Sequence, residues 1–132
     1  MFGDLELIDV LYNKLWQSEE LTALLGNPQN STERNEKIRR EVTPVKLITA
    51  DKLNFISMYF SAATETDNIY VVRGFLIVEY YTKSREDLRK IQRAVKQILE
   101  KRKLLRVSFY NMESFAKGIF GYTEKYSPLV FA

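Results

Sequence analysis

The chain has 132 residues, 45% apolar, 28% charged and 13% aromatic, with a formal net charge of +3 and neither cysteine nor histidine. That is enough for one domain with a sizeable core, too apolar for a disordered protein and too charged for a membrane-embedded one. Without Cys or His there are no disulfides, thiolate metal sites, thiol nucleophiles, Ser-His-Asp relays or imidazole bases, which excludes much enzymology.

No stretch reaches the roughly 18–20 consecutive apolar residues that span a bilayer. The acidic opening Met-Phe-Gly-Asp-Leu-Glu lacks the basic head and apolar run of a signal peptide. Both facts fit residence in a reducing cytoplasm with no membrane partner. Charge is unevenly spread: residues 1–25 hold Asp4, Glu6, Asp9, Glu19 and Glu20 against Lys14, about −4, which leaves about +7 for the rest. Such a split suits association with further copies of the chain, and suits an ordinary soluble surface equally well.

Residues 4–25 predict an amphipathic helix, because Leu5, Ile8, Leu11, Tyr12, Leu15 and Trp16 recur at the spacing that lines one face. Asp4 fits its N-cap, Glu6 suits the positive end of the helix dipole, and Gly26-Asn27-Pro28 stops it. A second helical segment from Ser18 would carry Leu21, Leu24 and Leu25 into the same core. Residues 27–43 are the most polar stretch, and only Ile38 and Val42 can reach a core. They predict a long loop, with room for one or two helical turns after Thr32, and a loop of this length is either functional or mobile. The residue before Pro44 is biased to be extended.

From Val45 the period changes to two. Val45–Ile48 predicts a short strand and Leu53–Ser61 a longer one, followed by turn composition over Thr64–Asn68. Ile69–Tyr81 is the strongest strand: Tyr70, Val72, Gly74, Leu76, Val78 and Tyr80 form an apolar face that belongs under helices. Ser84-Arg85-Glu86-Asp87 resembles a capping box, and Leu88, Ile91, Val95, Ile98 and Leu99 make the stripe of the best helix, Ser84–Lys101. Leu104–Tyr110 returns to strand character, Gly118 and Gly121 flank a turn, and Tyr126–Phe131 gives a last strand broken by Pro128. The order predicts one α+β domain over 1–132, a mostly antiparallel sheet packed by the N-terminal helix and the Ser84–Lys101 helix.

Carboxylate pairs are the only catalytic currency left. Glu19/Glu20, Glu65/Asp67 and Glu86/Asp87 are adjacent or nearly so, but each sits in a helix start, a turn or a polar face. No Asp-rich calcium loop, P-loop or dinucleotide fingerprint occurs, so no metal or cofactor is expected and the chain does not read as an enzyme. With the apolar stripe inward, Arg89, Arg93 and Lys96 share the outer side of the Ser84–Lys101 helix. Either that side is a solvated face with internal pairs such as Glu86–Lys90, or it meets nucleic acid phosphates or an acidic protein patch. The run that marks an RNA-binding sheet is absent.

The layout resembles the tail-terminator, or tail-completion, proteins of tailed bacteriophages, which belong to the neck joining head to tail. The first helix carries Leu11-Tyr12-Asn-Lys-Leu15, the long strand Ile69–Tyr81 runs into the Ser-capped helix Ser84–Lys101, and Gly118-Ile-Phe-Gly-Tyr122 with Tyr126–Phe131 closes the chain. The resemblance implies a structural virion protein, assembled in the host cytoplasm as a homo-oligomeric ring, typically hexameric. Such a ring caps the tail tube and meets the head-completion or connector protein around the DNA channel. Under that reading, Arg34, Lys37, Arg39 and Arg40 of the polar segment are expected to meet the acidic Asp4, Glu6, Glu19 and Glu20 of an adjoining subunit. Arg89, Arg93 and Lys96 would face DNA weakly and without sequence preference, or an acidic partner. A small basic nucleic-acid-binding module is the alternative, and a carboxylate enzyme a third.

Overall fold

In the computed structural model, residues 4–65, 71–112, 118–127 and 129–131 are described. The amphipathic run at the start is cut in two, α1 (Asp4–Trp16) and α2 (Glu19–Leu24). Ser18 makes the cut: its backbone is extended and its hydroxyl accepts the Leu21 N–H at 3.2 Å, capping α2. The new direction buries Leu21 and Leu25 beside Leu11 and Leu15. Gly26, at φ +89°, ends α2 in a conformation that costs glycine nothing.

The polar segment is more ordered in its hydrogen bonding than a bare loop. Asn30 Oδ1 accepts the Glu33 N–H at 2.9 Å, and Glu33 Oε2 accepts the Gln29 N–H at 2.6 Å. This cap starts α3 (Ser31–Lys37), which buries none of its residues. It delivers β1 (Ile38–Arg39), whose Ile38 is fully buried. The strand expected at Val45–Ile48 is instead a 3-10 turn, Val45–Leu47, closed by Leu47 N–H donating to Pro44 O at 2.9 Å. A second 3-10 turn follows at Ala50–Lys52. The apolar alternation there serves a turning segment anchored at buried Thr43, whose hydroxyl is bonded to that of Ser57.

The sheet is built from β2 (Phe55–Glu65), β3 (Val71–Thr82), β4 (Leu105–Met112), β5 (Phe120–Ser127) and β6 (Leu129–Phe131), together with β1. Its order is β1-β2-β3-β5-β4, with β6 pairing β3 where β5 has ended. Among the described residues, only β1 and β2 are parallel. The expected strand start at Ile69 and the expected break at Pro128 lie outside the described residues. Between β3 and β4 runs α4 (Arg85–Lys101), started as expected by Ser84, whose Oγ accepts the Asp87 N–H at 3.1 Å.

Among the described residues, α1, α2 and α4 pack on one face of the sheet. Ile91, Val95 and Leu99 of α4 are buried against Leu76, Val78 and Tyr80 of β3 and Tyr126 of β5, with Leu88 and Ile98 half-buried at the margin. Ile8, Leu11 and Leu15 of α1 close the same core over Ile56 and Met58 of β2. The fold is α+β, with the long strand and its capped helix at its centre.

Candidate functional site

The most concentrated polar chemistry is inside the core. Glu124, on β5, is fully buried between β3 and β4. Its Oε1 accepts the Tyr80 hydroxyl at 2.6 Å and the Tyr126 hydroxyl at 3.1 Å. Its Oε2 accepts Gln92 Nε2 at 3.0 Å and Arg106 Nη1 at 3.1 Å, the latter a salt bridge. Four donors from β3, β5, α4 and β4 therefore satisfy one carboxylate, which makes burial of the charge tolerable. Burial, followed by the nearby Glu124 charge, pushes the Tyr80 and Tyr126 hydroxyls well above the ordinary tyrosine value. Burial works against the Arg106 charge, and the Glu124 contact more than offsets it, so the guanidinium is held above its usual value. Closed in by these partners, the group ties strands together and offers no approach to a substrate.

The residues singled out in the sequence fall into several places. Three of the four basic residues of the polar segment are engaged within the chain. Arg39 pairs with Glu41 at 2.7 Å, and Arg40 pairs with Asp9 at 2.8 Å while lying 4.2 Å from the Tyr12 ring centroid. Lys37 Nζ donates to Lys52 O at 3.2 Å, and burial lowers its pKa. Arg34 is exposed on α3. The Asp4 side chain lies outside those described; Glu6, Glu19 and Glu20 are exposed on α1 and α2. Thus α1 does meet a basic residue of the polar segment, and it does so through Asp9 of the same chain.

On α4, Lys90 pairs with Glu86 at 3.3 Å and Lys96 with Glu100 at 3.6 Å. Arg85, Arg89 and Arg93 are exposed and have no acidic partner among the described residues. Arg85 and Arg89 face the β4 side, where they line a shallow groove of about 330 Å³ with Leu88, Gln92, Asn111 and Tyr122. Of the acid pairs, Glu86 is taken by Lys90, Asp87 accepts Asn54 Nδ2 at 3.3 Å, and Glu19 and Glu20 face solvent, while the Glu65/Asp67 pair lies outside the described side chains. No group of three potential metal-ligating side chains occurs among the described residues.

Two features were missed in the sequence. Tyr122, Glu124 and Tyr126 alternate, so they share one strand face, and an acid flanked by two tyrosines on that face was a legible sign of a hub. The other is β4, where Leu105, Val107, Phe109 and Tyr110 are 66%, 52%, 57% and 54% exposed. Phe109, opposite Glu124, lies on the helix face and Leu105 and Tyr110 on the other, so this edge strand exposes apolar side chains on both faces, a feature of interaction surfaces. Nothing in the local sequence reveals which strand lies at the edge.

No family model and no curated protein sequence matches the chain. In fold it is similar to a chain of a solved structure described as the virion of a native gene transfer agent particle, with a TM-score of 0.59 at 12% identity over 100% of both chains. At that identity the likeness is one of fold.

Proposed function

We propose that this chain is a structural subunit of a phage-like virion, working at the neck as a homo-oligomeric ring that terminates the tail tube and joins it to the head connector. The observation that carries the reading is the full-length fold likeness to a chain of a gene transfer agent virion. The exposed apolar edge of β4 supports it, since a subunit with a permanent partner leaves such a surface uncovered only when isolated. A hexamer assembled in the host cytoplasm, with a tail tube protein on one face and a head-completion protein on the other, is the arrangement proposed. The role is structural rather than catalytic. Arg93 and Lys96, on the outer side of α4, are the residues proposed to touch passing DNA, weakly and without sequence preference.

Purified particles from cells that produce the protein provide the test. Mass spectrometry is expected to find the chain in fixed, low copy number, and imaging to place it as a ring between tail and head. Deleting it is expected to leave heads and tails unjoined and tail lengths uneven. Absence of the chain from purified particles overturns the proposal.

A further inference from the structure

The sheet has two open edges, and they match. One is β4, which pairs only with β5 among the described residues. The other is the outer side of β2: β1 covers only Ile56 and Ser57, so the last eight of its 11 residues, Met58–Glu65, have no described strand beyond them. β4 is also 8 residues long, and each stretch spans about 27 Å at strand rise. Free edges of this length are usually guarded by lysine, proline or a bulge. β4 has a bulge at Val107 and β2 one between Ser61 and Thr64, but neither stretch carries Lys or Pro; Ser108–Met112 runs in unbroken register along β5 and Met58–Ser61 along β3.

Strand direction and charge select the occupant. β2 is antiparallel to β3, β3 to β5 and β5 to β4, so β4 runs opposite to β2. Laying β4 of one copy along β2 of another therefore continues the antiparallel alternation. The β4 side is basic, with the exposed Lys103 just before the strand and Arg85 and Arg89 above it, while Arg106 is neutralised by Glu124 and Lys101 and Arg102 lie in a groove beside Glu20 of α2. The β2 side lies beneath α1, which carries the exposed Glu6, and beside the mixed-charge segment of α3 and β1, where Arg39 and Arg40 are paired with Glu41 and Asp9. A two-fold pairing of β4 with itself would bring two basic edges together, whereas a head-to-tail pairing avoids that repulsion and brings the basic edge toward Glu6.

We infer that a second copy of this chain docks its β4 strand antiparallel along Met58–Glu65 of β2. The inference rests on the self-association proposed above and names the surfaces that make it. Because β1 occupies the near end of β2, the incoming strand is displaced. Met112 lies on the cross-sheet row of Phe55 and would face Met58, so successive copies are staggered.

The chain has no cysteine, so engineered thiols report without background. Ser108→Cys is combined in one chain with a single cysteine walked from Tyr59 to Thr64, and each variant is oxidised where the unmodified chain is assembled. Only directly opposed residues of an antiparallel pair fall within disulfide reach, so a ladder of linked chains is expected at the position of the walk that faces Ser108 and not at its neighbours. Assembly without any linkage overturns the inference and leaves the ring standing. Linked pairs from Ser108→Cys alone overturn it in favour of the two-fold pairing. A chain that stays monomeric up to about 1 mM overturns both the inference and the ring. In a second arm, Leu105→Glu with Val107→Glu is expected to raise the concentration needed for assembly by about 100-fold, with an unchanged far-UV spectrum. Unchanged assembly overturns the inference, and incorporation into particles is scored separately so that the neck assignment stands or falls on its own.

Discussion

Glu124 shows how much one side chain fixes. Glu124→Gln keeps the shape but leaves Arg106 without its counter-charge and gives Tyr80 and Tyr126 a weaker acceptor. It is expected to cost about 2–4 kcal/mol, read as a lower urea midpoint at constant slope. The same hub predicts an alkaline limit. Tyr80 and Tyr126 have folded-state pKa values raised by burial, so above about pH 10 the unfolded chain loses their protons first. Their stabilisation is complete below pH 10 and is lost as pH rises from there toward the folded values, at up to about 1.4 kcal/mol per pH unit for each residue. Tyrosinate absorbance is expected to rise together with unfolding, and Tyr80→Phe with Tyr126→Phe to flatten the slope. An unchanged slope in the double variant would remove the hub from the account. The sequence displays Tyr122, Glu124 and Tyr126 at alternating positions, so the shared face was readable, but the partners Gln92 and Arg106 lie 32 and 18 residues away.

At the scale of elements, legibility followed the strength of local signals. α4 was readable because its three-and-four stripe and its Ser84 cap agree, and the structure places Ile91, Val95 and Leu99 in the core. Ser84→Ala is expected to cost about 1 kcal/mol and Ile91→Ala about 2–5 kcal/mol through lost burial and a cavity. Thermal unfolding of the two variants separates these effects, and an Ile91→Ala loss under 1 kcal/mol would contradict the packing described. α3 was harder to see because it has a cap, Asn30 with Glu33, but no apolar stripe, and it is held from its ends. At Val45–Leu47 the apolar alternation pointed to a strand. Pro44 and the Thr43–Ser57 contact turn the chain instead, and tertiary anchoring outweighs a three-residue preference.

At the scale of the whole molecule, strand order and the identity of the edges were not legible. They depend on pairings between residues far apart in sequence, such as Met58 with Val78 and Val78 with Glu124. Only once that order is known does the charge split of the sequence acquire direction, with acidic α1 over β2 at one end of the sheet and basic residues beside β4 at the other. Complementary ends of this kind steer association as well as holding it, and their effect weakens with salt. Arg85→Glu with Arg89→Glu is therefore expected to raise the concentration required for assembly at low salt, while leaving the melting temperature of the monomer nearly unchanged, because both side chains are exposed and unpaired among the described residues. Glu6→Arg alone is expected to act in the same direction. Combined with the two α4 reversals it should restore part of the lost association, since each copy then presents acidic α4 to basic α1. Mass measurements at low and high salt check the cycle: the coupling between the two sets of substitutions should be large at low salt and shrink as ionic strength rises. Strictly additive effects at every salt concentration would show that these charges do not meet across the junction.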